Sequence, residues 1–132
     1  MAVSLRTRAL VLAAWSVFVW ATRIRNALAD DELGTGAKTV AVITAVVFTA
    51  GGLAVGIAAL RRHGQLRPMV AALAVVTAVY WPVRIVQIVA RDHSLGFTLV
   101  HAALGAVSVA LALWAWPARR ARVRPAGLLP GR

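Results

Sequence analysis

The sequence predicts an all-α integral membrane protein, a four-helix bundle built from two tandem helical hairpins. Three observations carry the prediction: four apolar runs long enough to cross a bilayer, short turn-like connections between them, and basic residues gathered in alternate connections. Of 132 residues, 61% are hydrophobic and four are acidic, and the mean hydropathy is +0.78. That is too apolar for the exterior of a soluble domain of this size. The net charge of +11 does not point to nucleic acid, because the arginines form short clusters between apolar runs and not one stripe. With no cysteine in the chain, disulfides, thiolate metal sites and covalent haem attachment are excluded.

A hydrocarbon core of about 30 Å takes about 20 helical residues, and residues 9–28, 39–60, 69–90 and 97–116 each supply such a run. None alternates with period two, and lipid demands that each segment satisfy its own backbone, so helices are expected and not barrel strands. The first run follows Arg6 and Arg8 and ends in Ala27-Leu28-Ala29, which resembles a secretory signal and its cleavage site. Arg23 and Arg25 would then lie between the apolar run and the cut, where translocation disfavours charge, so a retained helix is expected. In the second run Gly52 and Gly56 form a GxxxG pattern, read as helix packing or as a docking seam for another subunit. The third run holds Trp81-Pro82, and the proline is expected to kink it. Along the fourth run Ala102, Ala106 and Ala110 make a small-residue ridge, again for packing or docking. Residues 1–118 thus form the transmembrane domain, and 119–132 a basic tail expected to lie on anionic lipid headgroups, its last residues disordered. The connections carry Gly34 and Gly36, Gly64 and Pro68, and Gly96, all turn residues.

Ten of the fifteen Lys and Arg residues lie at the N-terminus, in the second connection and in the tail, whereas all four acids, Asp30, Asp31, Glu32 and Asp92, lie on the other side. The positive-inside rule places both termini in the cytoplasm.

Trp20, Arg23 and Asn26 recur as Trp81, Arg84 and Gln87, with Asp31 and Asp92 following at equal distance, and Leu33-Gly34 echoes Leu95-Gly96 with one extra residue. Two hairpins inserted in the same sense, related by an axis along the membrane normal, would produce this pattern. One reading of the repeated Trp and Arg is an aromatic belt with snorkelling guanidinium groups, and their spacing permits a cation–π contact. The other is a polar pocket lined by Arg23, Asn26, Arg84, Gln87 and His101, with Asp31 and Asp92 as ion-pair candidates at its mouth. Such a pocket suits an anionic or hydrogen-bonding ligand such as a lipid headgroup or a quinone. Haem is disfavoured because His63 and His93 fall in connections on opposite sides, and no cofactor or metal is expected. The four runs hold no acid, and the chain lacks phosphate-loop, His-Glu-x-x-His and nucleophile–base patterns, so no catalytic residues are expected.

In the second hairpin, Trp81-Pro82, Ile88, Asp92, Phe97, Val100-His101, Leu104 and Val107-Ser108 resemble the pattern of a family of small uncharacterised actinobacterial multi-pass membrane proteins built from one such hairpin. Gln87 stands where that pattern has Asn, and the arginine is placed differently. The use of fourteen Arg against one Lys fits a GC-rich genome of that kind. The resemblance implies a bacterial inner-membrane location and a module that recurs on its own. Taken together, the expectation is a non-catalytic accessory or structural subunit of a larger membrane assembly, with other membrane subunits or itself as partner. The alternative is a small homo-oligomeric transporter or a lipid- or quinone-binding protein.

Overall fold

Four helices form because four apolar segments, each flanked by a cap or a turn, have no other way to satisfy their backbones in lipid. The computed structural model describes residues 3–91 and 93–117. Within them the order is α1 (Leu5–Ala29), α2 (Thr35–Leu60), α3 (Leu66–Val89) and α4 (Leu95–Ala115), with no strand among the described residues. All four are long and apolar enough to span a membrane. The basic tail lies outside the described residues.

Each helix starts earlier than its apolar run. Ser4 caps α1 by accepting the Thr7 amide at 3.1 Å, and Ser94 caps α4 by accepting the Phe97 amide at 3.4 Å, so polar residues before the apolar run join the first turn. In α3, Pro68 sits in the first turn, where its missing N–H has no intrahelical partner to lose. Further along, α3 continues through Pro82 as one helix. The turn after α2 takes its left-handed backbone from a residue other than Gly64. It is Arg62 that adopts φ 53°, and no described glycine has positive φ. The His63 amide bonds the Ala58 carbonyl at 2.9 Å and the Arg62 amide bonds that of Ala59 at 3.4 Å, a double closure of the helix end that holds Arg62 left-handed at a cost of about 1 kcal/mol.

The helices pack in cyclic order. α1 lies chiefly on α2 and α3 on α4, the hairpins meet along α1–α4 and α2–α3, and α1 touches α3 across a diagonal. Burial follows one register in both halves. Every buried residue of α3, namely Val70, Leu73, Ala74, Thr77, Trp81 and Ile88, lies 61 positions after a buried residue of α1. Gly105, Ser108, Ala112 and Ala115 of α4 lie 60 positions after Ala45, Phe48, Gly52 and Val55 of α2. This register aligns Gly36 with Gly96, not Gly34, so the second connection between paired helices is shorter by one residue.

Aromatic rings join α1, α2 and α3 at the centre. Trp20 stacks on Phe48 at 4.3 Å, Tyr80 meets both edge-on at 5.1 and 5.2 Å, and Trp81 lies 6.0 Å from Trp20. Trp20 and Trp81 are only 2% and 3% exposed, which corrects the aromatic-belt reading: these indoles are core. The stripe Ala9, Leu12, Ala13, Ser16 and Trp20 explains it, since steps of three and four residues keep Trp20 on the face that small residues press against the bundle.

Close approach between helices depends on glycine at two places. A Cβ at Gly52 would sit 3.1 to 3.2 Å from Val17, Ser16 and the Ala13 carbonyl, and one at Gly105 only 2.8 Å from Ile85 and 2.9 Å from Trp81. Gly56 also faces Ala13 but has room, at 3.5 Å. Gly52 and Gly56 therefore pack α2 on α1 inside the first hairpin, and the docking alternative for them is set aside. On α4 the ridge splits differently: Ala106 and Ala110 are exposed and Ala102 is half-buried, whereas Gly105 and Ser108 turn inward.

Candidate functional site

Polar groups in an apolar bundle are costly unless paired, and following their partners locates the site. Several hydroxyls satisfy themselves on their own helices: Thr22, Thr49 and Ser108 donate to the carbonyls of Phe18, Ala45 and Leu104 at 2.7 to 2.8 Å. Between hairpins, the Trp15 indole donates to Ser108 Oγ at 2.9 Å, a contact of about 0.6 to 2 kcal/mol in a membrane bundle. Near the chain termini, Arg8 donates to the carbonyls of Trp114 and Trp116 at 2.9 and 3.4 Å, and Arg67 to that of Pro117 at 3.4 Å. Both cations thus close the C-terminal end of α4, where free carbonyls gather negative potential. Neither this arrangement nor the Trp15–Ser108 bond was anticipated from sequence, since nothing local marks a partner 50 to 108 residues away.

At the opposite end, α1, α3 and α4 bring Arg23, Arg84 and His101 into one electrostatic neighbourhood with Tyr80. Arg23 Nη1 lies 3.4 Å from His101 Nε2, and His101 Nδ1 lies 2.9 Å from the Phe97 carbonyl. A guanidinium has no acceptor, so Nε2 must accept and the ring proton sits on Nδ1, pointed at Phe97. The imidazole is further held by the Phe97 ring at 4.0 Å, and that ring in turn by His93 at 4.7 Å.

Arg84 is less well provided for. Its Nη1 donates to Gln87 Oε1 at 3.4 Å, one turn away on the same helix, while its Nε is buried without a partner. The difference follows from the register. In the register that relates the two halves, His101 of α4 corresponds to Ala41 of α2, so the matching position in the first hairpin carries a methyl group in place of an imidazole.

Of the other expected site residues, Gln87 and Asn26 are both exposed, and Asn26 makes no side-chain hydrogen bond among the described residues. Asp31 is exposed in the turn after α1 and forms no ion pair among the described residues, which corrects its assignment as a partner. The reason is direction: Arg23 turns into the bundle towards His101, and Asp31 stays beyond the helix end. Asp92 lies outside the described residues. No cation–π contact joins Trp20 to Arg23 or Trp81 to Arg84, because both indoles are spent on core packing.

Two shallow grooves open at this end. One, of about 360 Å³, runs between the end of α1 and the start of α2, past Lys38, whose Nζ donates to the Leu28 carbonyl at 3.4 Å. The other, of about 450 Å³, runs along α3, with Arg84 and Gln87 at one end and Val76, Val79, Val83 and Tyr80 along its length. The arrangement is a cationic cluster with no acid among its described members, suited to holding an anion and to hydrogen bonding. Comparison with models of known families, with curated proteins and with solved structures finds no match.

Proposed function

We propose that this small multi-pass membrane protein is a non-catalytic accessory subunit of the bacterial inner membrane that docks on other membrane proteins, or on its own copies, through α4. The observation that carries this is the outward ridge of Ala106 and Ala110, continued by the half-buried Ala102. Lipid alone asks nothing of such a face, whereas a neighbouring helix gains close backbone contact from it. α4 also has the smallest enclosed share of the four spans, 17% against 33% for α1. Mild-detergent extraction from native membranes, with identification of what comigrates, tests the proposal. Changing Ala106 and Ala110 together to Leu is expected to remove the comigrating partner and leave a folded bundle. An unchanged set of comigrating proteins would end the α4 docking reading.

The chain is read as two copies of one hairpin related by an axis along the membrane normal, supported by the registers of 61 and 60 positions. Both termini are placed in the cytoplasm by the basic bias. A reporter active only in the cytoplasm should work within residues 61–65 and fail within 30–34; the reverse pattern overturns the orientation.

A second reading, binding of a lipid, quinone or transported solute at the arginine cluster, is favoured by the unpartnered Arg84 Nε. It is compatible with docking through α4, because Ala106 and Ala110 are exposed on that helix while His101 turns towards Arg23.

A further inference from the structure

We infer that the α3 groove headed by Arg84 binds one anionic phospholipid, its phosphate on the guanidinium and one acyl chain along Val83, Val79 and Val76. The inference rests on the second reading above and assigns it an occupant and a place.

Arg84 is the first ground. A guanidinium nitrogen buried beside apolar walls costs free energy until an acceptor reaches it. Among the described residues Nε has none, and the group's one hydrogen bond is the long one that Nη1 donates to Gln87 Oε1. In the corresponding place on α1, Arg23 is served by His101. The position corresponding to His101 in the first hairpin is Ala41, which carries no acceptor in its side chain. A phosphate oxygen fills that role well, since Arg forms short, charge-assisted, paired hydrogen bonds to it.

The shape of the groove is the second ground. At about 450 Å³ it falls within the roughly 300–1,000 Å³ of ordinary ligand sites. Its polar groups sit together at one end, and the remaining walls are valine side chains and the Tyr80 ring. Val76, Val79 and Val83 are 51%, 60% and 53% exposed, so this trough opens sideways to the bilayer. From Val76 to Gln87 the helix rises about 16 Å, a length that an acyl chain can follow. A free phosphate would use only the head of the site and leave the valine trough unexplained.

Depth agrees with both. Arg84 precedes the last residue of α3, Val89, by little more than one turn, which leaves the guanidinium about 8 Å below the helix end. That is where a long cationic side chain rises towards headgroup phosphates. Asp30, Asp31 and Glu32 of the nearby turn are exposed and make no ion pair with it among the described residues.

The test uses the purified full chain, stripped of lipid in detergent and then offered phosphatidylglycerol, phosphatidylcholine or inorganic phosphate, with retained lipid read by native mass spectrometry and protection by thermal unfolding. Phosphatidylglycerol is expected to bind roughly tenfold or more tightly than phosphatidylcholine, and Arg84→Gln to erase that preference. Arg25→Gln, which alters an exposed arginine, is expected to keep it. Ala41→His provides the decisive variant. It retains the Arg84 charge but offers the guanidinium an imidazole, as at Arg23, and is expected to weaken phosphatidylglycerol binding while the unloaded bundle melts no lower. If Arg84→Gln fails to fold, Ala41→His still decides the matter.

Equal phosphatidylglycerol binding in the parent, Arg84→Gln and Ala41→His overturns the assignment. Protection by millimolar inorganic phosphate equal to that by the lipid overturns the phospholipid as occupant. Loss of binding in Arg23→Gln but not in Arg84→Gln moves the site to the α1–α4 contact, overturning this placement while the lipid-binding reading stands. No preference for any anionic lipid ends both.

Discussion

Replacing Trp20 with Ala is expected to lower the stability of the folded bundle by about 3–5 kcal/mol, the range for deleting a large buried aromatic. Its ring stacks on Phe48, meets the edge of Tyr80 and lies beside Trp81, so one truncation removes contacts to α2 and α3 together. Neighbouring helices cannot close the gap without breaking the fit at Gly52, where α1 and α2 are already in tight contact. Equilibrium unfolding in mixed micelles gives the measurement. Trp116→Ala serves as the comparison, because this tryptophan is 44% exposed and its loss should cost no more than about 0.5 kcal/mol. A Trp20→Ala protein as stable as Trp116→Ala would mean that the aromatic junction does not hold the bundle together.

Gly105→Ala is the second large effect, and it is large for a single methyl group. The added carbon would meet Ile85 Cδ1 at 2.8 Å and Trp81 Cε3 at 2.9 Å. The isoleucine tip can rotate aside. The indole cannot, since it is 3% exposed and wedged against Trp20 and Tyr80, so α3 and α4 must separate at a cost of about 1–3 kcal/mol. Gly56→Ala meets its nearest neighbour at an ordinary 3.5 Å and should be neutral or gain up to about 1 kcal/mol from helix propensity. The same unfolding measurement separates the two, and equal stability of the two variants would show that the α3–α4 contact yields more readily than its geometry indicates.

Hydropathy made the four spans legible, because a bilayer tests length and apolarity and both are local properties of a sequence. Helix starts were less legible: Thr35, Gly36 and Leu66 look like turn residues until the chain around them is known to be helical. Trp20 and Trp81 were readable in two ways. Their chemistry suggests a headgroup belt, yet their spacing from Leu12, Ala13 and Ser16, and from Leu73, Ala74 and Thr77, places them on the buried stripe, and spacing was the better guide. In the candidate site, Arg23 and His101 were named from sequence and do meet, and Arg84 meets Gln87. Asn26 and Asp31 were grouped with them because they are near in sequence, but Asn26 is exposed with no side-chain hydrogen bond among the described residues, and Asp31 lies beyond the end of α1. Tyr80 escaped notice because it has no counterpart in the first half, where Val19 occupies its register.

The partners of α1 have a consequence for how the molecule is made. Arg8, Trp15 and Arg23 all find their hydrogen-bond acceptors on α4 or at its end, on Trp114 and Trp116, Ser108 and His101. Because α1 leaves the ribosome first and α4 last of the four, these three polar groups, spread from one end of α1 to the other, wait through the synthesis of two intervening helices. Until then none of the three has the acceptor it meets in the folded bundle. Arrival of α4 supplies all three acceptors, so the helix that closes the ring is also the one that satisfies the polar groups of the first.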